Sequence, residues 1–295
     1  MSGKNISLVS VIIPVFNDQA GLLKCIEAMS SQSYPPQSLE IIVVDNGSTP
    51  SIKVENSLGL NIKVIRCEKP GSYAARNAGS EVASGDLFAF TDADCWPAKD
   101  WLKSGVATLE SHGGRAFVGG EVEIVEPPSP SVVALYQRAT SFGQESNIKE
   151  KKFTGTLNLF CTKELFRSVG GFEDRLLSGG DREWSWRALK RGFSLVYEPT
   201  AVIYTEPRTT LRGAILQARR ITAGRRMLRE FGLAHVGSQN IAKKRSVWQS
   251  AVWLLCRKEL STVERVQILS IAVVIRFAES VEGLRLALGA RAERR

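Results

Sequence analysis

The chain of 295 residues is poor in the residues that build metal clusters and disulfide frameworks. Its five cysteines, Cys25, Cys67, Cys95, Cys161 and Cys256, are scattered, with no C-x-x-C pair. That argues against a zinc site or a disulfide scaffold and suits a reducing cytoplasm. The two histidines, His112 and His235, fall in no motif. The first eight residues lack an apolar stretch of signal-peptide length. No apolar run reaches bilayer-spanning length without a charge. Internal repeats and low-complexity tracts are also missing.

What is present is an ordinary apolar fraction of 43%, enough for a substantial core. The net charge of +9 calls for an anionic partner: nucleotide phosphates, nucleic acid or an acidic membrane surface. Nucleic acid is the weakest of these, because the basic residues gather in the tail with little aromatic interleaving and no recognised module.

Apolar runs set the organisation. Residues 9–15 (VSVIIPV), 41–44 (IIVV), 62–65 and 87–90 (LFAF) read as buried strands. Between them, Leu22, Leu23, Ile26 and Met29 recur at helical spacing after Asn17-Asp18, and a small-residue helix runs from Tyr73 to Ala83. This alternation predicts a parallel α/β sheet. Further on, helices are expected from Trp101 to Leu109, from Val132 to Phe142 and from Asp181 to Arg191. Short strands are expected at 116–118, 121–125, 153–161, 194–197 and 201–204, a linker at 126–130, and a charged loop at 147–152. Beyond Pro207 the chain reads as helical and basic.

Asp92 and Asp94 follow the strand 87–90 directly, at the strand end where open α/β sheets keep ligands. Two carboxylates one residue apart repel unless a cation sits between them, and hard oxygen donors suit Mg²⁺ or Mn²⁺. The alternative is a helix cap and a loop residue.

The segments VSVIIPVFN, IIVVDNGST, KPGSYAARNAG, GDLFAFTDAD, GGFED and GGDREWSWRALKRG resemble, in order, the motifs of family 2 glycosyltransferases across roughly Val9 to Tyr204. The resemblance implies a GT-A fold: a Rossmann-like, mostly parallel central sheet flanked by helices, here with a C-terminal helical extension. It implies a catalytic domain over 1–207, with a nucleotide-binding half near 9–95 and an acceptor half near 96–207, and a basic helical region over 208–295. It also implies a nucleotide-sugar donor, a divalent metal (Mn²⁺ or Mg²⁺), a saccharide or lipid-linked acceptor, and inverting transfer.

Carried over by position, Pro14, Val15, Asn17, Asp45, Arg76 and Asp92 are expected to bind the nucleotide-sugar. Asp94 is expected to hold the metal, with Asp92 at the ribose or in the metal's outer shell. Asp45 reads otherwise as an Asx-turn residue, and Arg76 as a solvated helix arginine. Inverting transfer needs one general base. Relatives carry Glu-Asp before a helix, whereas this chain has Gly180-Asp181. Asp181 matches the base, or a helix cap, or both, and Glu183 is a weaker substitute for the missing acid. A second departure is Thr205, where relatives have a metal-binding His; Glu206 or water is the stand-in. Trp184 and Trp186 read as one core residue and one acceptor wall, with Glu183 beside them.

Gln217 to Ile221 resembles the Q-x-x-R-W motif of processive relatives without its Trp, which favours single addition. Arg208, Arg212, Arg219 and Arg226 project on one side of a helix, beside an apolar side. That face suits an anionic membrane, contact with the catalytic domain, or solvent. Residues 247–255 and 263–277 are apolar enough to pack or to touch a membrane, while Arg257 and Arg276 argue against a span. The expected place is the cytoplasm, with a peripheral site on the inner face of the membrane as the extension. The competing reading is a catalytically weak nucleotide- or glycan-binding relative. A sugar nucleotidyltransferase would open with a Gly-rich phosphate loop, which VIIPVFND lacks.

Overall fold

In the computed structural model of the chain, residues 6–55, 59–127, 129, 131–140, 143–233 and 260–292 are described. The segment 247–255, with Cys256, Arg257 and His235, lies outside the described residues. The chain divides into two compact units: Met1–Glu123 with Gly143–Thr205, and Ile124–Phe142 with Glu206–Arg295.

The first unit is built on β1 (Val9–Val15), β2 (Leu39–Asp45), β3 (Asn61–Arg66) and β4 (Leu87–Phe90), all parallel. β1 and β2 are buried at every position, as an unbroken apolar, β-branched run requires when both sheet faces are covered. α1 (Gln19–Ser30) places Leu22, Cys25, Ile26 and Met29 in the same core cluster as Val9, Val11, Ile13, Ile41 and Val43. Each such aliphatic side chain contributes about 1.5–3 kcal/mol on burial. Asp18 caps α1, accepting a hydrogen bond from the Gly21 N–H at 3.0 Å. Pro14 pairs with Val44 on the β2 side but lies past Ile12, where the pairing with β4 stops. Its missing N–H therefore costs the ladder little.

Four further strands complete an eight-stranded sheet in the order β3-β2-β1-β4-β7-β6-β8-β5, with β5 (Cys95–Pro97), β6 (Ala116–Ile124), β7 (Leu159–Thr162) and β8 (Ser194–Thr205). The pairs β4–β7, β6–β7 and β5–β8 are antiparallel. The helices of this unit are α2 (Ser72–Val82), α3 (Trp101–Ser111), α5 (Gln144–Lys149), α6 (Lys163–Val169) and α7 (Gly180–Lys190); α4 (Val132–Ala139) belongs to the second unit.

Several expectations about elements are corrected. The two short strands around Gly119-Gly120 are one strand, β6; a Cβ at Gly120 would stand 2.1 Å from the Ala201 carbonyl, so glycine is what lets the backbones close up. The strands 194–197 and 201–204 are also one. Glu198 carries β8 past Pro199 by accepting hydrogen bonds from the Thr200 N–H (2.9 Å) and the Thr108 hydroxyl (2.6 Å). Only the end of 153–161 is strand. Its start goes to a polar core instead, where Gln144 donates to Thr154 Oγ1 at 2.7 Å and accepts from the Gly155 N–H at 3.2 Å. The charged loop 147–152 begins as the end of α5, which buries Asn147 and Ile148 and pairs Lys149 with Glu145 at 2.6 Å.

In the second unit, α4 packs with α8 (Leu211–Glu230) and α9 (Thr262–Ala287). Val133, Ala214, Ala218 and Ile275 form its core. Ser131, Thr210 and a Ser261–Glu264 capping box start the three helices. The basic side of α8 is partly neutralised inside this unit: Arg219 pairs with Glu282 at 2.9 Å and Arg225 with Glu279 at 3.5 Å.

Candidate active site

The C-terminal ends of β1, β2 and β4 lie side by side, since Val15 is in register with Asp45 and Ile12 with Phe90. Short polar turns leave these ends, and the expected donor-site residues Pro14, Val15, Asn17, Asp45 and Asp92 sit on this rim. Asn17 is exposed and adopts φ 52. It clips the β1 end to the turn after β2: its N–H donates to Ser48 Oγ at 2.9 Å, and its Oδ1 accepts from the Thr49 N–H at 2.8 Å.

Asp45 is buried. Its carboxylate accepts from the N–H groups of Ser48 (2.8 Å) and Ile52 (3.3 Å) and from Arg66 Nη1 (3.0 Å). Burial alone would raise its pKa, but the hydrogen bonds from Ser48 and Ile52 and the Arg66 charge outweigh it and hold the carboxyl below its usual value. Both oxygens are thus committed to the loop 46–52 and to Arg66. Asn46 ties that loop to the next one, donating to the Cys67 and Lys69 carbonyls (3.0 and 2.8 Å) and accepting from the Gly71 N–H (2.8 Å).

Arg76, one turn into α2, is buried rather than solvated. Its guanidinium pairs with Asp92 Oδ1, and its Nε is buried with no hydrogen-bond partner among the described residues. The Tyr73 ring lies 5.7 Å from it. Asp94 is exposed. The Thr205 hydroxyl donates to the Asp94 carbonyl at 3.2 Å, and Thr205 is in register with Cys95. Position 205 therefore stands beside the acid pair, as the family pattern requires of its His. Beneath the pair, burial pushes the Cys25 and Cys95 thiols up, and the charges of Asp94 and Asp92 add to that. They stay protonated, so the donors offered here are hard oxygens. Such a set fits Mg²⁺ or Mn²⁺ with water and a diphosphate completing the shell. No cluster of three acid, His or Cys donors forms among the described residues.

Asp181 is the residue expected to act as general base. It lies in the first turn of α7 and accepts from the Arg182 N–H at 2.8 Å and, at 3.4 Å, from the Tyr73 hydroxyl. Burial raises its pKa; Arg182 and Arg76 pull it back, and Asp92 adds to the rise. Its field is thus shared with Arg76 and Asp92, which brings three of the expected residues together. A side chain at 180 would require the Tyr73 ring to shift. A Cβ on Gly180 would sit 2.8 Å from the Tyr73 ring, so the tyrosine occupies the room a Glu side chain would need.

Glu183 and the tryptophans are not brought into this group. Glu183 is buried with both oxygens taken by Arg187 (2.7 and 2.8 Å). Arg187 also donates to the carbonyls of Val169, Gly170 and Gly171, closing the end of α6. Trp184 is fully buried against Phe117, Phe166 and Phe172 and donates to the Gly170 carbonyl at 3.0 Å. Trp186 is also buried and donates to the Lys151 carbonyl at 3.1 Å.

Sequence reasoning missed Tyr73, Asn46 and Asn77. Asn77 both donates to and accepts from the Phe172 backbone, each at 2.8 Å, and Lys69 pairs with Asp174 at 2.6 Å. Both asparagines sit inside quoted motifs. The available signal was the carboxamide itself, which can donate and accept at once.

The acid pair stands at the strand ends where open α/β sheets keep their ligands. The sequence profile of Glycosyl transferase family 2 matches residues 10–166. The chain belongs to glycosyl transferase family 2. It is 41% identical over 194 residues to Glycosyltransferase AglE of Haloferax volcanii, covering 64% of each chain. It is 29% identical over 222 residues to the pre-mycofactocin glycosyltransferase of Mycobacterium tuberculosis, covering 72% of this chain and 45% of that one. The chain thus spans less than two thirds of the length of these relatives. A third relative, the dolichyl N-acetyl-alpha-D-glucosaminyl phosphate 3-beta-D-2,3-diacetamido-2,3-dideoxy-beta-D-glucuronosyltransferase of Methanococcus voltae, is 28% identical over 226 residues, 72% of this chain and 70% of that one. The fold is similar to that of the mannosyltransferase PcManGT from Pyrobaculum calidifontis in complex with GDP-Man and Mn²⁺, with a TM-score of 0.58, 18% identity and coverage of 94% and 87% of the two chains. It is also similar to S. aureus TarS 1-349 in complex with UDP-GlcNAc, with a TM-score of 0.53, 16% identity and coverage of 97% and 93%.

Proposed function

We propose that the first unit transfers a sugar from a nucleoside-diphosphate donor to a hydroxyl of a saccharide or lipid-linked glycan, with inversion. The observation that carries this reading is the convergence of Asp181 and Arg76 with Asp92 of the strand-end rim. Asp181 is the general base. It takes the acceptor's proton as the acceptor oxygen bonds to the anomeric carbon and the bond from that carbon to the diphosphate breaks. Its raised proton affinity suits that task near neutral pH. Arg76 fixes Asp92 and keeps a buried Nε with no hydrogen-bond partner among the described residues. Asp45, Asn17 and Asn46 hold the loops that frame the base and ribose.

Asp94 would hold Mn²⁺ or Mg²⁺, with Asp92 in its outer shell, and the cation would neutralise charge on the departing diphosphate. PcManGT with GDP-Man and Mn²⁺ supports a metal-assisted donor site. The dolichyl-phosphate-linked sugar in the name of the Methanococcus voltae relative supports a lipid-linked acceptor. The free buried thiols of Cys25, Cys67, Cys95 and Cys161 support a cytoplasmic location.

Gly180 and Thr205, where the family pattern has Glu and His, favour the second reading of a nucleotide-binding relative with little turnover. A thermal-shift panel of GDP, UDP and other nucleoside diphosphates, with and without Mn²⁺, tests the proposal, because binding to the native state raises its stability by mass action. The expected outcome is a shift for one nucleotide that needs Mn²⁺. Shifts with none of them contradict both readings, and a shift without turnover of any nucleotide-sugar leaves the second.

A further inference from the structure

α9 is arranged opposite to an ordinary surface helix. Its outward side carries Val263, Val266, Val273, Phe277, Val281 and Leu284, and just past its end Leu288 continues the same line. Phe277 is 70% exposed, Val263 66% and Leu288 80%. The rest of that side is Thr262, Ser270 and Ser280, all exposed. At about 3.6 residues per turn these positions share roughly a third of the circumference. Among the described residues, none on that third is charged, although a solvent-facing helix side normally is.

The charges of α9 are sorted as well. By the same spacing, Arg276 borders the stripe on one side, with Arg265 set further round, and Arg285, which pairs with Glu282 at 2.8 Å, lies on the other. The acids Glu264, Glu279 and Glu282 fall on the opposite, inner half. There, Glu282 receives Arg219 and Arg285, and Glu279 receives Arg225. The order from outside to inside is thus apolar, then basic, then acidic with its partners. A protein surface would be an indifferent match for this order, but an anionic bilayer fits it layer by layer. Apolar side chains enter the acyl boundary, guanidinium groups on long stems reach the phosphates, and acids stay away from the lipid charge. α9 has 26 residues, about 39 Å, which gives a long contact when it lies flat. No helix among the described residues is long and apolar enough to cross a membrane.

We infer that the outward face of α9, from Val263 to Leu288, is a docking surface for an anionic lipid bilayer, on which the helix lies in the plane of the interface. This places the membrane contact on α9 rather than on the basic side of α8, whose Arg219 is engaged with Glu282 of α9.

The test is co-sedimentation of the full chain with vesicles of equal parts phosphatidylcholine and phosphatidylglycerol, and with phosphatidylcholine alone. Wild type is compared with the triple variant Val273→Glu, Phe277→Glu, Val281→Glu. Those side chains are exposed, so unfolding is not expected, and an unchanged melting temperature confirms it. Wild type is expected to sediment with the anionic vesicles and about fivefold or more weakly with the neutral ones, since Arg276 beside the stripe adds its charge to the apolar contact. High salt should release part of it, and the triple variant should stay in the supernatant. Wild type remaining in the supernatant with anionic vesicles, or the variant sedimenting as wild type does, overturns the assignment. So does light scattering that shows a wild-type dimer which the same variant dissolves, because the face would then join two copies of the chain.

Discussion

Asp45 and Asp181 are both aspartates at the ends of elements in the first unit, and the structure treats them in opposite ways. Asp45 is buried with N–H donors on both oxygens and a guanidinium beside it, and its pKa is lowered. Asp181 has one short hydrogen bond from a backbone N–H and one long contact from Tyr73, and its pKa is raised. Burial raises both; at Asp45 the donors and the Arg66 charge outweigh it, and at Asp181 the donors and charges do not. A carboxylate saturated with donors holds a loop in place and has little left to offer a substrate. One that is half-buried and sparsely bonded keeps its affinity for a proton. Separation of proton affinities between acids of one site is a mark of divided roles.

The comparison can be broken at four places. The largest effect is expected from Asp94→Ala, which removes the exposed carboxylate proposed to hold the metal: calorimetry should show Mn²⁺-dependent nucleotide binding lost, with melting temperature unchanged. Asp181→Asn should leave nucleotide binding intact and lower kcat by on the order of 10²-fold or more, because the amide cannot take the acceptor's proton. Turnover at the wild-type rate in that variant would remove Asp181 from the mechanism. Asp45→Ala should act on stability instead, costing about 2 kcal/mol in urea denaturation, since the buried Ser48 and Ile52 N–H groups lose their acceptor. An unaltered midpoint would mean that the loop does not depend on this carboxylate. Tyr73→Phe should have the smallest effect, about threefold in kcat with KM for the donor unchanged, as expected for loss of one long hydrogen bond while the ring still fills the space at Gly180. A change confined to KM would place Tyr73 in substrate binding instead.

The parallel strands and the acid pair were legible because each is a local pattern: an all-apolar run, then two carboxylates at its end. The interior of the site was less so. Asn77 matters through Phe172, 95 residues away, and Tyr73 through Asp181, 108 residues away. No spacing rule connects such pairs. Glu183 looked available beside Asp181 because sequence shows neighbours along the chain; its i,i+4 partner Arg187 closes it off. The tail was half legible. Helical periodicity gave α8 its basic and apolar sides, but Glu282, 63 residues beyond Arg219, is what pairs with the basic one. Conversely, β8 runs through Pro199 against its local signal, because Glu198 supplies the support that the proline cannot.

The most direct measurement is the pH dependence of kcat at saturating nucleotide-sugar and Mn²⁺. Below its pKa, a general-base carboxylate is protonated and cannot accept the acceptor's proton, so kcat falls as pH drops through that value. Burial and the Asp92 charge raise the value for Asp181 against the pull of Arg182 and Arg76. The expected result is an acid limb with its midpoint above the ordinary aspartate value of about 4. A midpoint at or below that value, or no acid limb while the protein stays folded, would contradict the assignment of Asp181 as the proton acceptor.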